Sequence, residues 1–441
     1  MSGGADPRRA IFDAAVAACD PGLVLPAHLP DAPPRGRVVL LACGKAGAAM
    51  IAAAARRYRA AGLPPDRLQG LAVVRHGYGA RDDDGLPPGI EVVEAGHPVP
   101  DEAGLAATRR VLTMAAAARP DDLVLALISG GGSANWVAPA PGVDLAEKQA
   151  LTRALLRSGA DIHEINAVRR HLSAIKGGRL AGLIRGRLES FAISDVPGDD
   201  PAAIASGPTV ADPTTLADAR AVLERYDVPP SPAIALRLRD PAAETPKPGD
   251  PAVDRHPFTL LARPADALAA AADAAARAGY RPVLLGSDLA GEARDEGTRQ
   301  ASLALAAQAE GHRVALISGG ELTVTLRGDG RGGPNQEFAL ALAIALGGAP
   351  GIRALAADTD GTDGGAGAAS DPAGALVDPD TLARARAAGT DARAALLRND
   401  STGFFQAAGG LFHPGPTRTN VNDLRVILVD PLPAAGTSVR A

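Results

Sequence analysis

Short apolar runs alternate along most of the chain with longer Ala- and Leu-rich stretches of helical period. The runs are RVVLLAC (37–43), LAVVRHG (71–77), LVLALIS (123–129), SFAIS (190–194), PVLLGS (282–287), RVALIS (313–318) and RALAAD (353–358). Apolar strands separated by amphipathic stretches are the pattern of a parallel sheet with crossover helices. The expected class is α/β, with two domains, each a mostly parallel sheet flanked by helices and the N-terminal one Rossmann-like. Between 228 and 251 the pattern lapses into VPPSPAIALRLRDPAAETPKPGDP, with seven prolines. Such a stretch has little room for regular packing. The expected division is therefore 1–240, a linker at 241–252, and 253–441. A last strand-like run, RVILV, could return to either sheet.

Composition closes several function classes. A length of 441 residues suits about two to three domains. The net charge of −5 and pI near 5.9 leave no basic footprint for nucleic acid. Two cysteines, Cys19 and Cys43, cannot form a disulfide framework or a thiolate zinc site alone. No apolar run approaches the ~18 residues that span a bilayer, and the N-terminal stretch has no signal-peptide core. A cytoplasmic protein without membrane partners is expected. Of 45 basic residues only four are lysines: Lys45, Lys148, Lys176 and Lys247. Lys247 reads as a solvated linker charge, Lys148 as a solvated helix position, and Lys176 as a charge near a helix end.

Open parallel sheets bind ligands beyond the carboxyl ends of their strands. Five of the strands predicted here end in loops of small or charged residues: GKAG, SGGGSAN, SDVPGDD, SGGELT and DTDGTDGG. In CGKAGAAM, Gly44 and Gly47 let backbone N–H groups approach an anion at a helix start, and Lys45 adds a point charge. The loop is not a dinucleotide fingerprint, because Ala42 stands where its first glycine belongs. The next strand ends in Arg75 and His76 rather than an acid. DTDGTDGG places Asp358, Asp360 and Asp363 within six positions. That suits either a magnesium loop or an Asx-turn capping the next helix. Asp195 directly follows a strand, whereas Asp199 and Asp200 read as a helix N-cap pair. INAVRRHLSAIKGGRLA (165–181) reads as one amphipathic helix ending at Gly177 and Gly178. Asn166, Arg169 and Ser173 would share its cleft face. Arg331 lies among four glycines before Pro334, and His97 in GHPVPD reads as a turn residue. Glycine cradles, isolated cations and a carboxylate loop suit phosphoryl transfer, where catalysis is mainly positioning and charge neutralisation.

These motifs together resemble the class II glycerate kinases, whose C-terminal region is called MOFRL and whose members are often labelled hydroxypyruvate reductase. The resemblance runs along almost the whole chain. It rests on GKAGAAM, GHPVPD, LISGGGSA, INAVRRHLSAIKGGRLA, ISDVPGDDPAAIASGPT, SGGELTVTLRGDGRGGPNQEFALA, DTDGTDG, NDSTGFF and GPTRTNVNDL. It implies ATP- and Mg2+-dependent phosphorylation of D-glycerate to 2-phosphoglycerate in an interdomain cleft, by an enzyme expected to be a homodimer. Lys45, Arg331 and Asp195 match its catalytic motif positions. Ser133, Asn166, Arg169 and Lys176 are the implied glycerate contacts. The implied nucleotide contacts are Gly44, Gly47, Gly130, Gly131, Gly132, Ser206, Gly207, Thr209 and Asn335, with Asp360 and Asp363 as metal ligands. Two departures are GTDGGAGAA in place of the commoner GTDGPTDAAGA, and Thr402 where Tyr is usual. The alternatives are an NAD(P)H-dependent hydroxypyruvate reductase and a non-catalytic module that binds sugar acids or nucleotides.

Overall fold

A computed structural model describes residues 6–365, 368 and 370–432. The chain divides into two compact units, Asp20–Ala262 and a second made of Met1–Cys19 with Arg263–Ala441. The Pro-rich stretch expected to be a linker lies inside the first unit. There it forms the turn Pro241–Ala243 and the short helix Pro251–Asp254. The chain crosses between the units twice, after Cys19 and after Ala262, the latter at the end of a strand.

The first unit holds β1 (Val38–Cys43), β2 (Leu68–Arg75), β3 (Ile90–Ala95), β4 (Leu123–Ile128), β5 (Arg187–Ile193) and β6 (Phe258–Ala262). All pairs are parallel and the order is β3-β2-β1-β4-β5-β6. This is the Rossmann strand order, with its topological switch point between β1 and β4. Every residue of β1 and β4 is buried, as expected for central strands covered on both faces. The edge strands β3 and β6 are only partly buried. Their weaker apolar signal kept them out of the sequence-based strands.

The second unit holds β7 (Arg281–Gly286), β8 (Val314–Ser318), β9 (Ile352–Asp358), β10 (Gly374–Val377), β11 (Leu411–Phe412) and β12 (Asp423–Val429), in the order β11-β10-β9-β12-β8-β7. This sheet is mixed rather than mostly parallel. Only β7 and β8 pair in parallel; β12 inserts antiparallel between β8 and β9, and β9, β10 and β11 pair antiparallel. RVILV therefore stays in its own unit, at the centre of the sheet. The N-terminal helix Pro7–Ala18 joins this unit as well. Arg8 reaches the carbonyls of Ala354 and Val377 at 3.1 and 2.9 Å and pairs with Asp378 at 2.9 Å. Among the described residues no helix is long and apolar enough to cross a membrane.

Candidate active site

The loops after β1 and β4 meet at the switch point. Gly44 has φ +92°, and a Cβ there would lie 2.3 Å from the Ser129 carbonyl oxygen, so only glycine fits. Ser129 clasps the two loops. Its Oγ donates to the Cys43 carbonyl and accepts from the Ala46 N–H, both at 3.0 Å. The Lys45 N–H donates to the Gly130 carbonyl at 2.8 Å, which holds Lys45 over the second loop. A Cβ on Gly131 would sit 3.1 Å from the His97 ring and 3.5 Å from Lys45 Cγ. His97, read from sequence as a turn residue, thus stands at the same loop. Gly132 is equally constrained, since a Cβ would come within 2.7 Å of Cys43 Sγ.

Beside these loops, residues from two distant segments converge on Ser133. Its Oγ accepts from Arg169 Nη2 at 2.9 Å and Lys176 Nζ at 3.1 Å, and lies 2.8 Å from Ser206 Oγ. Ser206 Oγ donates to Asn166 Oδ1 at 3.2 Å. With the Ser206 proton so used, Ser133 is the donor to Ser206, and the chain of hydrogen bonds has one direction. Lys176 Nζ also donates to the Ser133 carbonyl at 2.8 Å. Ser206 is presented by a left-handed turn in which Ala205, Ser206 and Gly207 have φ of +50°, +62° and +62°. Two consecutive non-glycine residues there store local strain, which concentrates at functional sites.

The helix behind this cluster is shorter than the sequence suggested. It spans Ile162–His171 and stops at Leu172; Gly177 and Gly178 come after an intervening turn and precede a separate helix, Arg179–Leu183. Its exposed start is capped by Asp161, whose side chain accepts from His163 N–H while Glu164 returns to the Asp161 N–H. Asn166 and Arg169 reach the cluster, but Ser173 does not. Ser173 Oγ instead donates to the Ala138 carbonyl and accepts from the N–H groups of Ile175 and Lys176. The back of the helix is anchored by Arg170, 2.9 Å from Asp212, and by His171 against Glu244 at 2.8 Å.

The electrostatics are one-sided. Lys176 is 1% exposed, and burial drives its pKa well below the ordinary lysine value, with the charges of Arg169 and Lys148 pushing the same way. Lys148, expected in solvent, is buried and donates to the Leu172 carbonyl at 3.0 Å. Burial first, and then Arg169, lower its pKa to about 7. The sequence held a signal for this: Lys148, Leu151 and Leu155 share one helical face and are all buried. Among the described residues, none of Lys148, Arg169 and Lys176 forms an ion pair with a carboxylate.

Other predicted residues lie elsewhere. Asp195 follows β5 on the same edge of the sheet and is half-buried. Thr209 is buried against Ser190, whose Oγ donates to it at 2.8 Å, so it is a core hydroxyl rather than part of the cluster. Gly207 accepts through its carbonyl from Gly178 N–H. Lys247 is no free linker charge; its Nζ bonds Thr245 Oγ1 at 2.7 Å and Glu244 at 2.6 Å.

In the second unit, Arg331 is exposed. Its backbone N–H donates to Asp400 at 3.2 Å and its guanidinium to Gln406 at 3.4 Å. Asp363 is committed to the start of the helix Pro334–Leu346. Its carboxylate accepts from the backbone N–H of Asn335 and Gln336 at 3.1 and 2.9 Å and from both side-chain amides. Burial, with Asp423 nearby, raises its pKa to about 7. Asp360 Oδ1 accepts from the N–H and hydroxyl of Thr362. Asp363, with both carboxylate oxygens bonded to the helix start, does not fit a divalent cation. Asp363 thus takes the capping alternative, at the preceding rather than the following helix. Asn335 is buried between Asp363 and Asp423, inside that network rather than facing a nucleotide.

Two family descriptions match the chain: a domain of unknown function, DUF4147, over residues 8–239, and MOFRL over 314–423. A protein of Agrobacterium vitis named as a hydroxypyruvate reductase is 50% identical over 430 residues, covering 96% of this chain and 93% of its own. A glycerate 2-kinase of Pyrococcus horikoshii is 39% identical over 436 residues, covering 96% and 94%. The crystal structure of a glycerate kinase from Thermotoga maritima matches with a TM-score of 0.81 at 37% identity, covering 95% of this chain and 97% of that one.

Proposed function

The chain belongs to the glycerate kinase family, and from that membership we propose that it transfers the γ-phosphoryl group of ATP to the 2-hydroxyl of D-glycerate. The observation that carries this reading is the cation cluster around Ser133. It lies at a Rossmann switch point, is lined by hydrogen-bond donors, and lacks a carboxylate of its own. A small hydroxy acid brings the missing negative charge.

In this reading Arg169 and Lys176, placed by their bonds to Ser133, hold the glycerate carboxylate, and Asn166 and Ser206 fix the hydroxyl end. Gly130 and Gly131 are the glycines assigned to nucleotide phosphates, whereas Gly44, Gly47 and Gly132, whose N–H groups donate to the carbonyls of Val73, Gly44 and Ser129, pack the loops together. Lys45 neutralises charge on the transferring phosphoryl group, and Asp195 orients the 2-hydroxyl and takes its proton. Arg331 remains the candidate cation of the second unit by its motif position alone. Asp360 and Asp363 are given no metal role, and no step depends on one.

Phosphorus NMR of a reaction with D-glycerate, ATP and magnesium tests the proposal. A 2-phosphoglycerate signal growing with ADP is expected, and a 3-phosphoglycerate signal would reject the assigned hydroxyl. Hydroxypyruvate with NADH is the second arm. Loss of nicotinamide absorbance there would favour the reductase reading, against which Ala42 and the strand end at Arg75 already stand.

A further inference from the structure

Lys148, Arg169 and Lys176 form a group of three basic side chains with no acidic partner among the described residues, and two of them are almost fully buried. Burying charge without a counter-charge is costly, so such a group persists where an anion completes it. Arg169 and Lys176 converge on Ser133 and would touch that anion. Lys148 acts one step behind. Its Nζ bonds the Leu172 carbonyl, which also accepts from Ala140 N–H at 3.1 Å. Leu172 ends the helix that carries Asn166 and Arg169, so Lys148 ties that helix end to Leu145–Arg157.

We propose that Lys148 is a positioning residue of the acceptor site. Its bond to the Leu172 carbonyl holds the end of the helix that presents Asn166 and Arg169, and so sets the basic cluster that receives a small carboxylate. The proposal rests on the glycerate reading for the identity of the acid, not for the existence of the anion pocket.

The groups facing Lys148 and Lys176 are few. From the helix Ile162–His171 comes Arg169, while Arg170 and His171 are engaged behind it by Asp212 and Glu244. From β1 comes Cys43, a buried thiol raised to about 12 and therefore uncharged. An arriving carboxylate is thus the one negative charge among these neighbours. It favours the protonated lysines, so binding and proton uptake are linked.

Calorimetric titration of the full chain with D-glycerate at pH 7.5, in buffers of different ionisation enthalpy, reads the proton directly. Net uptake is expected for the wild-type chain and reduced uptake for Lys148→Met. Steady-state kinetics of Lys148→Met should show the KM for glycerate raised about tenfold with kcat within about threefold, the size of one lost charge-assisted interaction. Lys148→Arg should restore KM and flatten its rise above pH 7. Because the Leu172 carbonyl keeps Ala140, and one of three like charges is gone, Lys148→Met without ligand should melt no lower than wild type. A variant that melts well below wild type would mean that Lys148 is structural, and an unchanged KM with no proton uptake would equally overturn the proposal. Inorganic phosphate and glycolate serve as parallel probes. If they bind with proton uptake while D-glycerate is never phosphorylated, the pocket stands and the kinase assignment for glycerate falls.

Discussion

Lys176 Nζ donates to both the carbonyl and the hydroxyl of Ser133, at 2.8 and 3.1 Å, so one buried lysine fixes the loop after β4 at its backbone and its side chain together. A hydroxyl that accepts from two cations and donates to a second serine is the hub of its surroundings. Replacing it strands donors on several elements at once.

Ser133→Ala should therefore lower kcat/KM for glycerate by roughly 10- to 100-fold, the cost of leaving buried donors unsatisfied. The melting temperature should fall modestly, since Lys176 keeps the Ser133 backbone carbonyl while Arg169 loses its bond to the hydroxyl. Steady-state assays alongside thermal melts check both, and unchanged kinetics would remove Ser133 from the site.

Lys45→Arg keeps the charge but replaces a compact ammonium with a planar fork in a loop held by the Gly130 carbonyl. Turnover should fall by about 100-fold or more, as for a misplaced electrostatic group. Intact activity in both this variant and Lys45→Ala would refute the assigned role.

Asp195→Asn should reduce kcat by about 100-fold while leaving the KM for ATP near wild type, the pattern of a lost base rather than a lost binding contact. Its pH–rate profile should lose the acidic limb. A profile unchanged in shape would place the base elsewhere.

Gly44→Ala tests the close approach of the two loops. The left-handed φ and the 2.3 Å approach to the Ser129 carbonyl should together destabilise the protein by more than about 2 kcal/mol. Chemical denaturation reads this. A stability equal to wild type would mean that the loops part easily.

The ligand-free protein should gain stability as pH rises from about 7 towards 10. Lys148 has a folded-state pKa of about 7, below its unfolded value of 10.5, so between those values the unfolded chain binds more protons than the folded one. The repulsion is fully present below pH 7 and is relieved above it, adding at most about 1.4 kcal/mol per pH unit for one such group. Lys148→Met should flatten this slope in denaturation curves taken at pH 7, 8 and 9.

Much of the first unit was legible in the sequence because its signals are local. A buried central strand is a continuous apolar run, as in β1 and β4. The glycines of GKAG and SGGGS mark loops whose backbone must turn sharply or pack closely. Ser133, Asn166, Arg169 and Lys176 stand out as polar groups beside such loops, and the fold brings them into one hydrogen-bonded cluster. What only the tertiary structure decided depends on partners far away in the chain. Strand direction leaves no mark on hydrophobicity, so the antiparallel insertion of β12 between β8 and β9 could not be read from RVILV. The first helix pairs with the second unit through Arg8, more than 340 residues from the Ala354 carbonyl it reaches. Asp363 looked like a metal ligand among neighbouring acids, yet its oxygens are taken by a helix start 27 and 28 residues earlier. Lys148 carries a charge that by itself suggests solvent; only the packing of its helix against the end of Ile162–His171 makes it a buried cation.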